Sequence, residues 1–273
     1  MLNGNRRIQI LLAVLKQHGM GGPLRDLMWN LFAPTCRIAG GRRIERIEQG
    51  PGDLRAIWVK GMDRPLYVPE EFSLHCIHQV LAEQTYARNW HYYCTPQTLV
   101  QANDVVLDCG AAEGIFTMLA RQKRARCVAF EPHPMYFRAL QQTFAGDEDV
   151  MLVNSALGSS PETGFLSKGE IDSKVNDTNG YSIKVETIDA VCDRLKIAPT
   201  YLKADIEGFE DKMLQGAAET ISRHHPKIAM TVYHDENDVT ALVATLRRLW
   251  PGYRTGTKGI CDRYGKPVML HAW

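Results

Sequence analysis

Residues 104–114 read D-V-V-L-D-C-G-A-A-E-G. Val105, Val106 and Leu107 have the unbroken apolar character of a short buried strand. Gly110 and Gly114 then bracket a turn filled only by Ala111, Ala112 and Glu113. A helix is expected to follow. A strand, a tight turn and a helix N-terminus leave free backbone N–H groups beside a crevice, which suits close binding of a nucleotide-like ligand. The spacing narrows the kind of ligand. Dinucleotide-binding turns carry G-x-G-x-x-G with a pyrophosphate on the helix terminus, whereas this turn is G-x-x-x-G with Asp108 two residues before its first glycine. That acid repels a pyrophosphate and attracts the ammonium of an amino-acid moiety, as in S-adenosylmethionine (SAM).

A second strand, residues 127–130, ends in Glu131-Pro132, about 20 residues beyond the turn, where a Rossmann-like sheet sets an acid against ribose hydroxyls. From Val105 onward, apolar strands and amphipathic helices alternate, the pattern of a parallel sheet covered on both faces. Strands are expected at 105–107, 127–130, 150–153, 201–204 and 227–233. Helices are expected at 115–122, 134–144, 211–224 and 237–250, with a further one capped by Thr187 and running to 195. A polar stretch, 158–184, reads as an inserted hairpin with short strands at 165–166 and 181–185. Residues 253–258 and 268–271 form a closing antiparallel hairpin. Five alternating units and a hairpin match a seven-stranded methyltransferase sheet better than a six-stranded dehydrogenase sheet.

Ahead of this lies an α+β extension, residues 1–95, followed by the main domain at 96–273. Helices are expected at 6–18, 23–32 and 70–83, with a small antiparallel sheet from 44–48, 54–60 and 66–68. The extension suits a cap, a substrate contact or a homodimer surface.

Composition bounds the function. Lys+Arg 32 against Asp+Glu 31 leaves a net charge of +1, so no global field favours nucleic acid, and the D/N-P-P-Y/F motif for exocyclic amines is missing. Residues 1–55 are locally basic, with Arg37, Arg42, Arg43 and Arg46 close together. Seven cysteines without a C-x-x-C pair argue for free thiols in a reducing, cytoplasmic setting. Residues 8–15 are apolar but too short for a membrane span and lack a cleavage site, so they read as an amphipathic helix.

In combination, D-C-G-A-A-E-G (108–114), A-F-E-P (129–132), N-S-A-L-G (154–158), V-E-T-I-D (185–189), L-K-A-D-I-E-G-F-E (202–210) and L-Q-G-A (214–217) resemble the FkbM-type methyltransferases. The resemblance spans about residues 90–235 and leaves residues 1–70 uncovered. It implies a class I SAM methyltransferase (Rossmann-like) α/β fold with SAM as donor, and O-methylation of a hydroxyl on a small molecule, sugar or glycan. Ala112 stands where many methyltransferase loops carry a glycine.

Alignment of a sulfonium methyl with a hydroxyl, and removal of the hydroxyl proton, require positioning groups and a base or a metal. The expected cofactor contacts are Asp108, Gly110, Ala111, Ala112, Glu113 and Gly114 around the methionyl end, Glu131 and Pro132 at the ribose, and Ser155 and Ala156 near adenine, with His133 and Met135 as further neighbours. On an extended strand Lys203, Asp205 and Glu207 point the same way. Asp205 or His234 is the base candidate, with Lys203 as electrostatic partner. Asp205, Glu207 and His234 together offer the oxygens and nitrogen of an Mg²⁺ or other divalent-metal site. The aromatic run at 90–93 suits either stacking on a sugar ring or bracing the extension. A nicotinamide oxidoreductase and a non-catalytic SAM-binding module are the alternatives.

Overall fold

The computed structural model describes Ile8, Ile10, Leu12, and residues 24–166, 180–234, 237–261 and 266–273. Most of the helix expected at 6–18, the tip of the inserted hairpin, and the acids Asp235 and Glu236 lie outside these residues.

The amino-terminal part contributes α1 (Leu24–Phe32), α2 (Cys36–Gly41), the strands β1 (Ile44–Gln49), β2 (Leu54–Val59) and β3 (Leu66–Pro69), and α3 (Leu74–Gln84). Strands β1, β2 and β3 form the expected antiparallel sheet. Helix α3 starts four residues later than its periodicity suggests. The Glu70 N–H and carbonyl bind Asp53 and Arg55 instead, and Ser73 caps the helix by accepting from the His75 N–H. Helix α2 went unread because it is a single short turn. It exists because Gly40 lets it press against α3, where an added methyl would lie 2.0 Å from the His78 carbonyl oxygen.

The main sheet then builds through β4 (Val105–Cys109), α4 (Ile115–Gln122), β5 (Arg126–Phe130), α5 (Pro134–Thr143) and β6 (Val150–Val153). Next come β7 (Ala156–Leu157), β8 (Glu162–Leu166) and β9 (Tyr181–Glu186), the inserted small sheet, followed by α6 (Ile188–Leu195) and β10 (Tyr201–Ala204). The chain closes with α7 (Glu210–Gln215), α8 (Ala218–His224), β11 (Lys227–Thr231), α9 (Val239–Leu249), β12 (Thr255–Lys258) and β13 (Met269–Ala272). The seven strands run in the order β12-β13-β11-β10-β4-β5-β6. Strands β11, β10, β4, β5 and β6 are parallel, and β13 is antiparallel to both its neighbours.

One expected helix is two. The apolar stripe over 211–224 is continuous, but α7 stops at Gly216, where any side chain would meet the Gly158 carbonyl oxygen at 2.0 Å. Asp189, in the first turn of α6, then caps α8 by accepting from the Glu219 and Thr220 N–H groups.

Alternation along the strands sorts side chains between two cores. Leu107, Cys109, Leu202 and Ala204 face a layer of α6, α7, α8 and α9. On the other face Val106, Cys127 and Tyr201 pack with α1, Trp90, Tyr93 and Phe116. Farther along that face, Ile57, Val59, Leu66 and Val68 of the small sheet join Ile77 and Leu81 of α3 against Ile115, Met118 and Leu140. The amino-terminal part therefore shares its core with the main sheet. No helix among the described residues is long and apolar enough to cross a membrane.

Gly110 has φ +78°, and a methyl there would lie 2.1 Å from the Asp205 carbonyl oxygen, so the turns after β4 and β10 touch. Gly146 has φ +77° with nothing within 4 Å of the same methyl position. Gly146→Ala is expected to cost only the roughly 1–2 kcal/mol of a left-handed alanine, and Gly110→Ala more, because it also displaces Asp205. Urea unfolding of both variants measures the difference, and equal midpoints would show that the two turns do not depend on each other.

Candidate functional site

A cleft of about 960 Å³, counted out to its open mouth, lies beyond the carboxyl ends of β4, β5 and β10. Its lining comes from residues 110–113, 130–133, 155–157, 205–207, Lys203 and Phe209, with Val80 and Gln84 of α3, Tyr136 of α5 and Leu166 of β8. The turn after β4 reaches it through three left-handed residues, Gly110, Ala112 (φ +46°) and Gly114 (φ +85°). Ala112 thus adopts the conformation that glycine favours at that position. The Gly110 and Ala111 N–H groups donate to the Phe130 carbonyl, and the Ala112 N–H donates to Glu131 Oε2 at 2.8 Å. Helix α4 begins at Gly114 without a side-chain cap.

Glu131 lines the cleft where the sequence places it. Its two oxygens accept from the Ala112 and His133 N–H groups, and Asn154, which the sequence reading did not single out, holds its carbonyl at 2.7 Å. Burial pushes its pKa up to about 7 against the pull of those two N–H donors. Glu113 is 3% exposed and accepts from the Tyr136 hydroxyl at 3.5 Å, and burial pushes it up to about 7 as well, against the pull of a backbone hydrogen bond. Ser155 Oγ and His133 Nδ1 are buried without a hydrogen-bond partner among the described residues, and both residues line the cleft. Pro132 and Ala156 line it too, whereas Met135 lies to the side, its sulfur accepting from the Tyr181 hydroxyl.

Asp108 stands apart from these residues. It does not line the cleft: it is fully buried behind the turn, with Lys203 Nζ at 3.0 Å from Oδ1 and the Thr117 hydroxyl donating to Oδ2 at 2.6 Å. The reason is register. Strand β4 pairs β10 with Asp108 beside Lys203, and both residues fall on the face toward α4. Lys203 also donates to the Gly110 carbonyl. Burial pulls the Lys203 ammonium down, but Asp108 and Asp205 outweigh it and hold its pKa above the ordinary value.

Strand β10 ends at Ala204, so the same-side alternation expected out to Glu207 stops early, and Glu207 itself has φ +56°. The charges converge nonetheless. Asp205 Oδ2 accepts from the Tyr93 hydroxyl at 2.6 Å and Oδ1 from Thr231 Oγ1 at 2.9 Å. Burial pushes this carboxyl up, but Lys203, His234 and the two hydroxyls more than compensate and hold it below the usual range. Tyr93 is the member of the aromatic run that reaches the site. Trp90 braces the core, and His91 stands edge-on to Tyr233.

His234 Nε2 lies 3.1 Å from Glu207, and Nδ1 lies 3.9 Å from Glu210. Burial works against its charge, but Glu207, Asp205 and Glu210 raise its pKa to about 9. A pKa of about 9 favours the imidazolium at neutral pH. Asp205, Glu207 and His234 each offer one ligand atom, all within 4.8 Å of one another.

The sequence model of the methyltransferase FkbM domain matches residues 108–254. The chain belongs to the FkbM methyltransferase family. A methyltransferase FkbM from Methylobacillus flagellatus KT shares 22% identity, covering 76% of this chain and 56% of its own, with a TM-score of 0.54. This FkbM chain thus spans a little over half the length of that structure, and the likeness is one of class I methyltransferase fold. Fibrillarin from Aeropyrum pernix, solved with natively bound SAM, is 12% identical over 84% of this chain and 99% of its own, with a TM-score of 0.45. A SAM-dependent methyltransferase from Agrobacterium tumefaciens is 10% identical over 82% and 71%, with a TM-score of 0.48. No curated protein matches the sequence.

Two consequences of these charges are measurable. Lys203→Met leaves Asp108 buried without its cation and is expected to cost about 3–5 kcal/mol in urea unfolding, part of which Asp108→Asn in the same chain restores. Glu113 and Glu131 bind protons more tightly folded, at about 7, than at their ordinary 4.5. Their contribution is fully present below the lower value and is lost as pH rises through the higher one. Calorimetry of the ligand-free protein should show the melting temperature falling from pH 5 to pH 8, with a smaller fall in Glu113→Gln. A flat profile would contradict the burial of these acids.

Proposed function

We propose that this FkbM methyltransferase moves a methyl group from SAM to a hydroxyl of a sugar, glycan or other small metabolite. The observation that carries the reading is Asp205: a carboxylate held on both oxygens by hydroxyl donors at the cleft wall, past the turn that receives the donor. When bound, SAM supplies an electrophilic methyl on its sulfonium. Backbone of the turn 110–114, with Glu131, Pro132, Ser155 and Ala156, holds it. The buried Ser155 Oγ and His133 Nδ1, both in search of partners, fit a nucleoside that brings donors and acceptors.

Asp205 orients the acceptor hydroxyl and takes its proton as the oxygen gains a bond. Tyr93 and Thr231 fix the carboxylate, and Lys203 offsets its charge so that it stays ionised in a half-buried site. His234 serves as the cation that steadies Glu207 and Asp205. Residues 1–95 act as an extension that supplies Val80 and Gln84 to the cleft wall and offers a surface for a homodimer, while 96–273 form the methyltransferase domain. Seven free cysteines suit a reducing, cytoplasmic compartment.

The ligand atoms of Asp205, Glu207 and His234 favour a second reading, in which these side chains hold Mg²⁺ or another divalent ion. The donor set, two carboxylates and an imidazole, fits a hard or borderline cation. An ion there would displace the His234 proton and lower the pKa of a coordinated hydroxyl.

Transfer of a labelled methyl from SAM to a panel of hydroxylated sugars and metabolites tests both. Asp205→Asn is expected to lower kcat by about 100-fold or more while the Kd for SAM changes little. Transfer to amines alone would defeat the hydroxyl assignment. SAM binding with no transfer to any acceptor would favour a binding module. Activity that survives EDTA supports the Asp205 base, and activity lost to EDTA and restored by Mg²⁺ supports the metal.

A further inference from the structure

The cleft contains two buried side chains with acceptor capacity to spare. Gln84 Oε1, at the end of α3, has no hydrogen-bond partner among the described residues. Glu113 has a backbone hydrogen bond and the Tyr136 hydroxyl at 3.5 Å, which leaves acceptor positions of its carboxylate open. Both residues line the same cleft, and they come from elements that meet only in the folded chain. The cation nearest to hand is already committed, since Lys203 is turned to Asp108 and to the Gly110 carbonyl. Buried oxygens with acceptor positions left open mark a place for a ligand that brings N–H groups and, beside a carboxylate, positive charge.

Glu113 immediately precedes Gly114, and α4 starts there with no side chain over its first-turn N–H groups. A helix start of this kind receives a carboxylate. An α-amino acid carries its carboxylate and its ammonium on one carbon. A ligand with the first group at the head of α4 therefore has the second within reach of the residue just before it.

Resting on the assignment of SAM to this cleft, we propose that the Glu113 carboxylate, joined by the Gln84 amide oxygen, holds the α-ammonium of the methyl donor. Asp108, the acid that the sequence motif suggested for that task, anchors the turn from behind through Lys203. The amino-terminal extension then completes the donor subsite. Without donor, the raised pKa of Glu113 keeps this buried acid partly protonated at neutral pH, and the incoming ammonium favours its ionised form.

Isothermal titration with S-adenosylhomocysteine, and with its analogue in which hydrogen replaces the α-amino group, reads this directly. In Glu113→Gln the affinity for S-adenosylhomocysteine is expected to fall about 10- to 100-fold, the worth of one charge-assisted contact. The affinity for the desamino analogue should change by less than about threefold. Gln84→Leu should follow the same pattern with a smaller loss, and Glu113→Asp should recover part of the affinity. Retained binding of the desamino analogue certifies that each variant is folded. Equal losses for the two ligands, or no loss for either, overturn the assignment while leaving SAM binding intact. Failure of the unaltered protein to bind either ligand overturns the donor reading together with it.

Discussion

The buried pair between Lys203 and Asp108 governs how this site is assembled. Two charges withdrawn from water cost several kcal/mol each, so such a pair persists only where further hydrogen bonds complete it. Here Thr117 serves the carboxylate, and the Gly110 carbonyl serves the ammonium. The geometry needs no loop to find it, because β4 and β10 lie side by side with these two residues in register. One ammonium thereby touches the turn after β4, supports the neighbouring Asp205, and ties the position of each to the other. Gly110 closes the same seam, since only a glycine lets the turn rest against the Asp205 carbonyl.

Four acids in or behind the cleft illustrate how partners decide ionisation where burial alone would not. Glu113, Glu131 and Asp205 all have desolvation as the leading influence on their pKa. Asp205 alone among the three ends below its ordinary value, because Lys203, His234 and two hydroxyls act on it together. Glu131 and Glu113 have backbone hydrogen bonds and a weaker pull from Lys203, which do not outweigh burial. Asp108, sealed from solvent with a lysine and a hydroxyl, completes the set as a structural charge. Differences of this kind give one cleft both an ionised carboxylate and carboxyls poised near neutrality.

The amino-terminal part is built into this arrangement. Its small sheet and α3 pack Ile57, Leu66 and Leu81 into the core shared with α4 and α5, each fully buried aliphatic contributing about 1.5–3 kcal/mol. Tyr93 crosses from the segment before β4 to Asp205, more than a hundred residues away in the chain. The Asp205 side of the cleft thus inherits its rigidity from packing laid down by residues that carry no family motif.

Much of this was legible in the chain itself. Apolar runs of three or four residues marked β4, β5 and β6, the alternation of strands with helices placed β10, α4, α5 and α9, and Thr187 marked the start of α6, because backbone pattern and capping are local properties. The turn 110–114 and Glu131 were legible for the same reason. Local pattern was blind to whatever depends on neighbours through space. The break at Gly216 comes from the Gly158 carbonyl, and the turn of Asp108 away from the cleft comes from strand register. The charge of His234 comes from three acids brought around it, and the reach of Tyr93 and Gln84 into the cleft comes from helix and loop packing. The sequence by itself therefore determined the order of elements and the family's binding turn. The tertiary structure decided which acids are paired, which are exposed to a ligand and which stay charged, since those properties belong to contacts between strands and helices rather than to any stretch of chain.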